Sequence, residues 1–345
     1  MDTVFAETVK KVIAHYPLET THISLLSYKG KKAVWSILTS QGEFILKKVP
    51  FAEDHIQFMT HAIDYLKAHG VRTPGVMKAT SGEAYVKSDD EFFVLFECVH
   101  GRSPEYEIEE ELVQILQGMA AFHRASKGIE SPTGYFPSFL LEEWREDYQR
   151  RAALILKWKT ARTGAADLKA FDKLFLQHAD HFLQQCQQAL DVLNHSDFDR
   201  WAAETRTTKT LCHQDYAAGN LAIGDDGHLY VYDMDSLTVD LPVRDLRKIL
   251  NKVMKKEAQW NLPQMMTMIK AYQSVNPLTA EQYRVLAADI LFPHLFLGQA
   301  SKYYEHREEK WPIQKHVSRL QEMIDTELSK EAVLQEFLAR LDEVV

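Results

Sequence analysis

The sequence predicts an α+β fold with two lobes, a small antiparallel sheet followed by a larger, mainly helical part. Three stretches, residues 23–28, 33–39 and 43–49, read as strands and are separated by the turn pieces KGKK and SQG. This pattern predicts a three-stranded meander. From residue 109 onward, apolar residues recur at helical spacing over long segments. A chain of 345 residues is long enough to build both lobes around a sizeable buried core.

Further elements complete the two lobes. Two more strands are predicted at 83–86 and 91–98. We therefore expect an N-lobe of residues 1–99, which carries one internal helix, and a C-lobe of residues 100–345. The helices predicted from apolar periodicity are 1–20, 54–69, 109–126, 140–156, 166–193, 244–256, 262–274, 279–296 and 315–345.

The composition is that of an ordinary globular protein and excludes several function classes. The formal net charge is −9, and no run of lysine and arginine with interleaved aromatics offsets it, so no nucleic-acid partner is expected. No window approaches ~20 consecutive apolar residues and the N-terminal stretch has no apolar core, so we expect neither a membrane span nor a signal peptide. Three scattered cysteines, Cys98, Cys186 and Cys212, indicate a reducing compartment.

The strongest functional signal lies between His213 and Ser236, in the stretch HQDYAAGNLAIGDDGHLYVYDMDS. Asp215 and Asn220 share one loop, and the glycine-flanked pair of aspartates at 224–227 predicts a tight hairpin. The returning strand of that hairpin ends at Asp233. One segment is therefore expected to bring two carboxylates and an amide within a few ångströms of each other.

This set of side chains suits phosphoryl transfer from a nucleotide. Such a reaction needs one carboxylate to accept the proton of an attacking hydroxyl, and an amide oxygen and a second carboxylate to hold a metal ion against the phosphates. Asp215 is the candidate base, and Asn220 and Asp233 are the candidate metal ligands. Their hard oxygen atoms suit Mg²⁺, which usually takes one or two protein carboxylates together with substrate phosphates.

The segment also resembles the aminoglycoside phosphotransferase and choline kinase branch of the protein-kinase-like fold, and within it the CotS-type spore coat proteins of spore-forming bacteria. The phrase LCHQDYAAGNL, the triplet DMD and the run PVRDL at 242–246 carry the resemblance. It implies a bilobal protein-kinase-like fold, ATP and Mg²⁺ as cofactors, and a small-molecule acceptor phosphorylated on a hydroxyl. It also implies a cytoplasmic protein that can be incorporated into the spore coat, with other coat proteins as partners.

The same resemblance implies roles for residues of the N-lobe. Lys47 matches the strand lysine that holds the α- and β-phosphates, whereas Lys48 points to the opposite face of a strand. The run FFVLFECVHGR resembles the hinge whose backbone binds adenine, at Glu97 to Val99. Contact with the phosphates from the first turn is expected from backbone N–H groups and Ser27.

Two features depart from the family pattern. The turn SYKGKKA contains only Gly30 and no glycine-rich motif. The helix at 54–69 contains no glutamate that could pair with the strand lysine. This leaves open whether Lys47 is unpaired, or is paired by Asp64 or by Asp233.

Several of these residues also have structural interpretations. We expect His213 to pack under the catalytic loop and orient it, Asp245 to tie the following helix to that loop, and Asp235 to have a secondary role. The two departures also support a rival from another class, a catalytically inactive kinase-like component of the spore coat. A protein kinase is not expected, because Pro242 and Asp245 follow Asp233 almost at once and leave no activation segment.

Overall fold

A six-stranded antiparallel sheet forms the N-terminal part of the molecule. The computed structural model describes residues 3–345. The strands are β1 Thr20–Lys29, β2 Lys32–Thr39, β3 Gly42–Val49, β4 Val76–Met77, β5 Val86–Ser88 and β6 Glu91–Glu97. β1, β2 and β3 form the predicted meander, β6 pairs with β3, and β4 and β5 both pair with β6. The strand predicted at 83–86 begins later, at Val86.

Two helices accompany this sheet, α1 Thr3–Ile13 and α2 Glu53–Ala68. Val9 and Val12 of α1 are buried in an apolar cluster that also contains Trp35 of β2. The predicted first helix included Met1 and Asp2, which lie outside the described residues, and it ends at Ile13 instead of extending to residue 20. The apolar face of α2 is buried in the large core that continues into the helical part, so α2 connects the two parts of the fold.

The remainder of the chain is mainly helical, as predicted. Its helices are α3 Glu109–Ser126, α4 Trp144–Arg162, α5 Ala170–Asn194, α6 Phe198–Thr208, α7 Val243–Met254, α8 Leu262–Gln273, α9 Ala280–Leu291, α10 His294–Tyr304, α11 Ile313–Leu328 and α12 Lys330–Ala339. Five short strands lie among them: β7 Gly101–Arg102, β8 Leu211–Cys212, β9 Leu221–Gly224, β10 Leu229–Val231 and β11 Thr238–Val239. None of the helices within residues 3–345 combines the length and the apolar content that a membrane crossing requires.

Two of the predicted helices are broken in the structure. The helix predicted at 279–296 is interrupted because Pro293 lacks an N–H and restricts the residue before it. Phe292 accordingly has extended backbone angles, with φ −58° and ψ 131°, and α10 starts afresh at His294. The helix predicted at 315–345 divides at Ser329 into α11 and α12. The sequence analysis also missed α6.

The hairpin predicted after Asn220 is confirmed. β9 and β10 pair antiparallel with Leu221 opposite Val231, and the turn between them contains Gly227 at φ +77°. A side chain other than glycine rarely adopts that φ, which explains the glycine at this turn position. β7 pairs with the outer side of β9, so the chain joins this second sheet directly after it leaves the first.

Candidate active site

The loop between β8 and β9 carries Asp215, and the side chain of His213 packs against this loop. The His213 side chain is fully buried, and its Nε2 donates to the carbonyl oxygen of Tyr232 at 3.0 Å. Its Nδ1 is then the acceptor for the backbone N–H of Asp215, at 3.3 Å. Burial lowers the pKa of His213, which favours this neutral form. The expectation that His213 orients the loop is confirmed.

Asp245, in the first turn of α7, holds the same loop from the other side. Its buried carboxylate accepts the backbone N–H of His213 at 2.6 Å and that of Gln214 at 3.0 Å. His123 of α3 also hydrogen-bonds this carboxylate, at 3.2 Å. Burial alone would raise the pKa of Asp245, but the hydrogen bond from His123 and nearby positive charge outweigh it, and the pKa lies below its ordinary value. Asp245 therefore ties α7 to the loop, as predicted.

Asp215 and Asn220 are brought together across this loop. The Asn220 Nδ2 group donates to the Asp215 carbonyl oxygen and to Asp215 Oδ2, both at 2.9 Å. Because both partners are acceptors, the amide nitrogen of Asn220 must face them, and its carbonyl oxygen points elsewhere. Within the described part of the chain no donor contacts that oxygen, so it is available to a cation. Asp215 is exposed and accessible to a substrate.

Lys47 of β3 is paired with Asp233. Lys47 Nζ lies 2.7 Å from Asp233 Oδ1. Of the alternatives left open by the sequence, this is the one observed, since Asp64 on α2 is exposed to solvent. Burial alone would raise the pKa of Asp233, but the Lys47 ammonium outweighs it and lowers that pKa. The Asp233 side chain remains 35% exposed, so its other oxygen can still reach a ligand.

A second lysine–aspartate ion pair lies beside the Lys47–Asp233 pair. Lys32, at the start of β2, has its Nζ 2.7 Å from Asp235 Oδ2. The ring of His55 on α2 contacts the Asp235 carbonyl oxygen at 3.2 Å. The sequence analysis gave Asp235 only a secondary role and did not single out Lys32. Three lysines, at 29, 31 and 32, surround Gly30, and no local pattern distinguishes Lys32 among them.

A cavity of about 350 Å³ lies between the sheet and the helical part, and most of the predicted site residues border it. Lys47, Glu97, Val99, Asn220 and Asp233 all line it, and apolar side chains complete its walls: Val34, Ile45, Ile63, Phe96, Ala222 and Met234. The predicted metal residues and three of the four predicted nucleotide residues therefore share a single cavity. Asp215 does not line it but is hydrogen-bonded to Asn220, which does.

Two predicted residues occupy other positions. Ser27 is exposed on β1 and does not line the cavity, although it pairs in register with Val34, which does. The Glu97 side chain turns away to accept hydrogen bonds from Lys67 Nζ and the Gly75 N–H, both at 2.7 Å. The Glu97 N–H donates to the Gly75 carbonyl oxygen at 2.9 Å, so the Glu97 carbonyl oxygen is the atom left for the predicted hinge contact.

The two lysines of β3 provide a matched test. Lys48 is on the opposite face of the strand and forms an ion pair with Glu91. We expect Lys47→Ala to weaken Mg·ATP affinity about 10- to 100-fold, the value of a hydrogen bond to a charged group. Lys48→Ala should leave that affinity unchanged. Calorimetric titration of both variants checks this, and an equal loss in both would refute the assigned roles.

The fold is shared with enzymes that phosphorylate small molecules. The chain superposes on an aminoglycoside phosphotransferase from Alicyclobacillus acidocaldarius subsp. acidocaldarius with a TM-score of 0.80, covering 97% of this chain and 95% of that one at 18% identity. It superposes on a spectinomycin phosphotransferase in complex with ADP and spectinomycin with a TM-score of 0.63, covering 99% and 98% at 13% identity. These likenesses confirm the predicted kinase-like fold.

Sequence comparison shows the family to which this kinase-like chain belongs. Residues 13–337 match the family model described as "Spore coat putative kinase YutH". Spore coat protein S of Bacillus subtilis (strain 168) is 31% identical over 329 residues, which are 95% of this chain and 93% of that protein. The chain belongs to this spore coat kinase-like family, and the predicted resemblance is confirmed.

Proposed function

We propose that this protein transfers the γ-phosphoryl group of ATP, with Mg²⁺, to a hydroxyl of a small molecule. In this proposal Asp215 is the base, Asn220 and Asp233 hold the metal, and Lys47 holds the ATP phosphates. Residues 1–99 form the nucleotide-binding lobe, and residues 100–345 carry the catalytic loop and the acceptor pocket. The family assignment adds association with the spore coat and its other proteins.

One observation carries this proposal: the Lys47–Asp233 pair lines the same cavity as residues 97–99 and Asn220, and Asn220 is hydrogen-bonded to Asp215. A volume of about 350 Å³ lies within the range of ligand pockets. Its apolar walls suit a flat base, and its hard oxygen ligands suit Mg²⁺. When bound, Mg²⁺ would neutralise phosphate charge. The donor set therefore fits both cofactors.

The remaining chemistry belongs to the chain itself. Asp215 is held through its backbone N–H by His213 and through its carboxylate by Asn220, so its orientation is set before substrate arrives. A carboxylate in that position can accept the proton of an approaching hydroxyl. Lys47 would place its positive charge at the α- and β-phosphates, where it stabilises the negative charge that stays on ADP. Ser27 stays a prediction, since it is one strand away from the cavity lining.

A catalytically inactive coat component is the second candidate. The name of the related spore coat protein S favours it, and so does the turn with a single glycine before β2. The missing helix glutamate supports it less than the sequence suggested, because Asp233 neutralises Lys47 in its place. The distinction depends on nucleotide binding and turnover.

Asp233→Ala tests the proposed metal site. We expect the variant to fold and to lose the Mg²⁺ dependence of ATP binding, because the cation would lack its carboxylate ligand. Calorimetric titration of ATP with and without Mg²⁺ measures this. Asp225→Ala, on the exposed hairpin turn, is the matched control. An unchanged Mg²⁺ dependence in Asp233→Ala would remove Asp233 from the site and point to Asp235.

A further inference from the structure

One face of α7 carries a row of basic side chains that the proposed chemistry does not use. The row lines an open pocket of about 390 Å³, which Arg151 of α4 and His294 of α10 also border. Its members recur every three or four positions along α7 and its C-cap residue, and therefore share one side of the helix: the basic residues Arg244, Arg247, Lys248, Lys252 and Lys255, with Asn251 among them. This concentration of positive charge occurs in a chain whose formal net charge is −9.

Part of this charge is balanced within the protein. Arg244 forms an ion pair with Asp240, and Arg247 Nε lies 3.0 Å from Asp289 Oδ2. By contrast, within residues 3–345 no carboxylate lies within ion-pair distance of Lys248, Lys252 or Lys255. The pocket therefore keeps a positive surplus.

Positive charges repel each other around Lys255, at the C-terminal end of α7. Burial lowers the pKa of Lys255, and the nearby charges of Lys252, Lys302 and Arg319 lower it further. A bound anion would relieve this repulsion.

Asn251 is the second indication of a ligand. Its side chain is only 4% exposed, it lines the pocket, and neither its amide nitrogen nor its amide oxygen has a hydrogen-bond partner among the described residues. Buried polar atoms are nearly always hydrogen-bonded, so an unpartnered amide at a pocket wall is a place where a polar ligand is expected.

One lysine links the pocket to the loop that carries the candidate base. Lys248 Nζ donates to the carbonyl oxygen and to Oε1 of Gln214, both at 2.6 Å. Gln214 directly precedes Asp215 and is held in the left-handed region at φ +68°. One lysine therefore belongs both to the basic pocket and to the support of the catalytic loop.

We propose that this pocket, the α7 basic pocket, binds the negatively charged group of the acceptor, a small polyhydroxylated anion carrying a phosphate or a carboxylate. The inference rests on the proposed function. An acceptor hydroxyl oxygen forms a bond to the γ-phosphorus of ATP, and its proton passes to Asp215. The bond from that phosphorus to the β–γ bridging oxygen breaks, and ADP leaves with the electron pair. Polycationic acceptors, such as aminoglycosides, are repelled.

The test compares ligands of similar size that differ in charge. Glucose 6-phosphate, gluconate, glucose and glucosamine are titrated calorimetrically into the full chain without ATP. We expect one or both anions to bind and the neutral and cationic sugars not to bind, and the two anions separate phosphate from carboxylate recognition. The double variant Lys252→Glu/Lys255→Glu should lower anion affinity at least about tenfold. Lys11→Glu, an exposed lysine of α1, makes the same kind of charge change elsewhere and should have no effect.

Two outcomes overturn the inference. One is that neither anion binds better than glucose. The other is that the double variant, with an unfolding temperature like that of the wild type, binds the anions as well as Lys11→Glu does. Mg·ATP binding to the wild type is measured separately. If Mg·ATP does not bind, the proposed function is wrong. Anion binding that depends on Lys252 and Lys255 would still establish the pocket as an anion site.

Discussion

Asp215→Asn is expected to lower phosphoryl transfer about 10²- to 10⁴-fold, the usual value of general-base assistance. ATP affinity should be unchanged. The amide has nearly the shape of the carboxylate, and its oxygen can still accept the hydrogen bond from Asn220. The backbone N–H of the residue would still donate to His213, so the loop keeps its position. Only the capacity to take a proton from the acceptor is removed.

ADP release measures this effect, with sugars, amino alcohols, aminoglycosides, sugar phosphates and sugar acids as acceptors. Asp225→Asn makes the same chemical change on the exposed hairpin turn and should retain the wild-type rate. If Asp215→Asn transfers as fast as the wild type, Asp215 is not the base. If the wild type binds Mg·ATP but no acceptor raises its turnover above that of Asp215→Asn, the second candidate, a catalytically inactive coat component, gains support.

Asp245→Ala is expected to reduce the free energy of unfolding by about 3–5 kcal/mol, the usual cost of removing one partner from a buried charged network. The backbone N–H groups of His213 and Gln214 would lose their acceptor, and His123 would lose its partner. Urea unfolding at pH 7 measures the loss. Asp342→Ala, at an exposed position near the C-terminus, should change stability little.

The difference in stability between the wild type and Asp245→Ala should depend on pH. The folded-state pKa of Asp245 is below its ordinary value, so its carboxylate stabilises the fold at pH values above the ordinary carboxyl pKa of about 3.9. This stabilisation is lost as the pH falls through the lower, folded-state pKa. The stability difference between wild type and Asp245→Ala should therefore be full at pH 7 and shrink in strong acid. A difference that grows on acidification would contradict the assignment.

The parts of the site that lie close together in sequence were predictable. Asp215, Asn220 and Asp233 belong to one loop and hairpin, whose turn residues indicate its shape. The supporting roles of His213 and Asp245 were also predicted from the motif. Local backbone geometry and short spacing are enough for the loop and hairpin, whereas the roles of His213 and Asp245 came from the family resemblance.

Contacts that depend on the packing of distant elements were not predictable. Lys47 had two candidate partners, and only the position of α2 relative to β3 selects Asp233 over Asp64. The Lys32–Asp235 pair joins residues about 200 positions apart, and no local pattern indicates it. The basic face of α7 has helical period in the sequence, but a charged face ordinarily faces solvent, and only the packing of α4 and α10 makes it a pocket.

Thermal unfolding with ATP, in the presence and absence of Mg²⁺, tests the central claim most directly. A ligand that binds only the folded state must stabilise it, by about 2.7 kcal/mol at a concentration 100 times its dissociation constant. We expect ATP with Mg²⁺ to raise the unfolding temperature of the wild type, and ATP without Mg²⁺ to have a much smaller effect. If the unfolding temperature is the same with and without Mg·ATP, the cavity between the sheet and the helical part is not a nucleotide site, and the proposed kinase function is wrong.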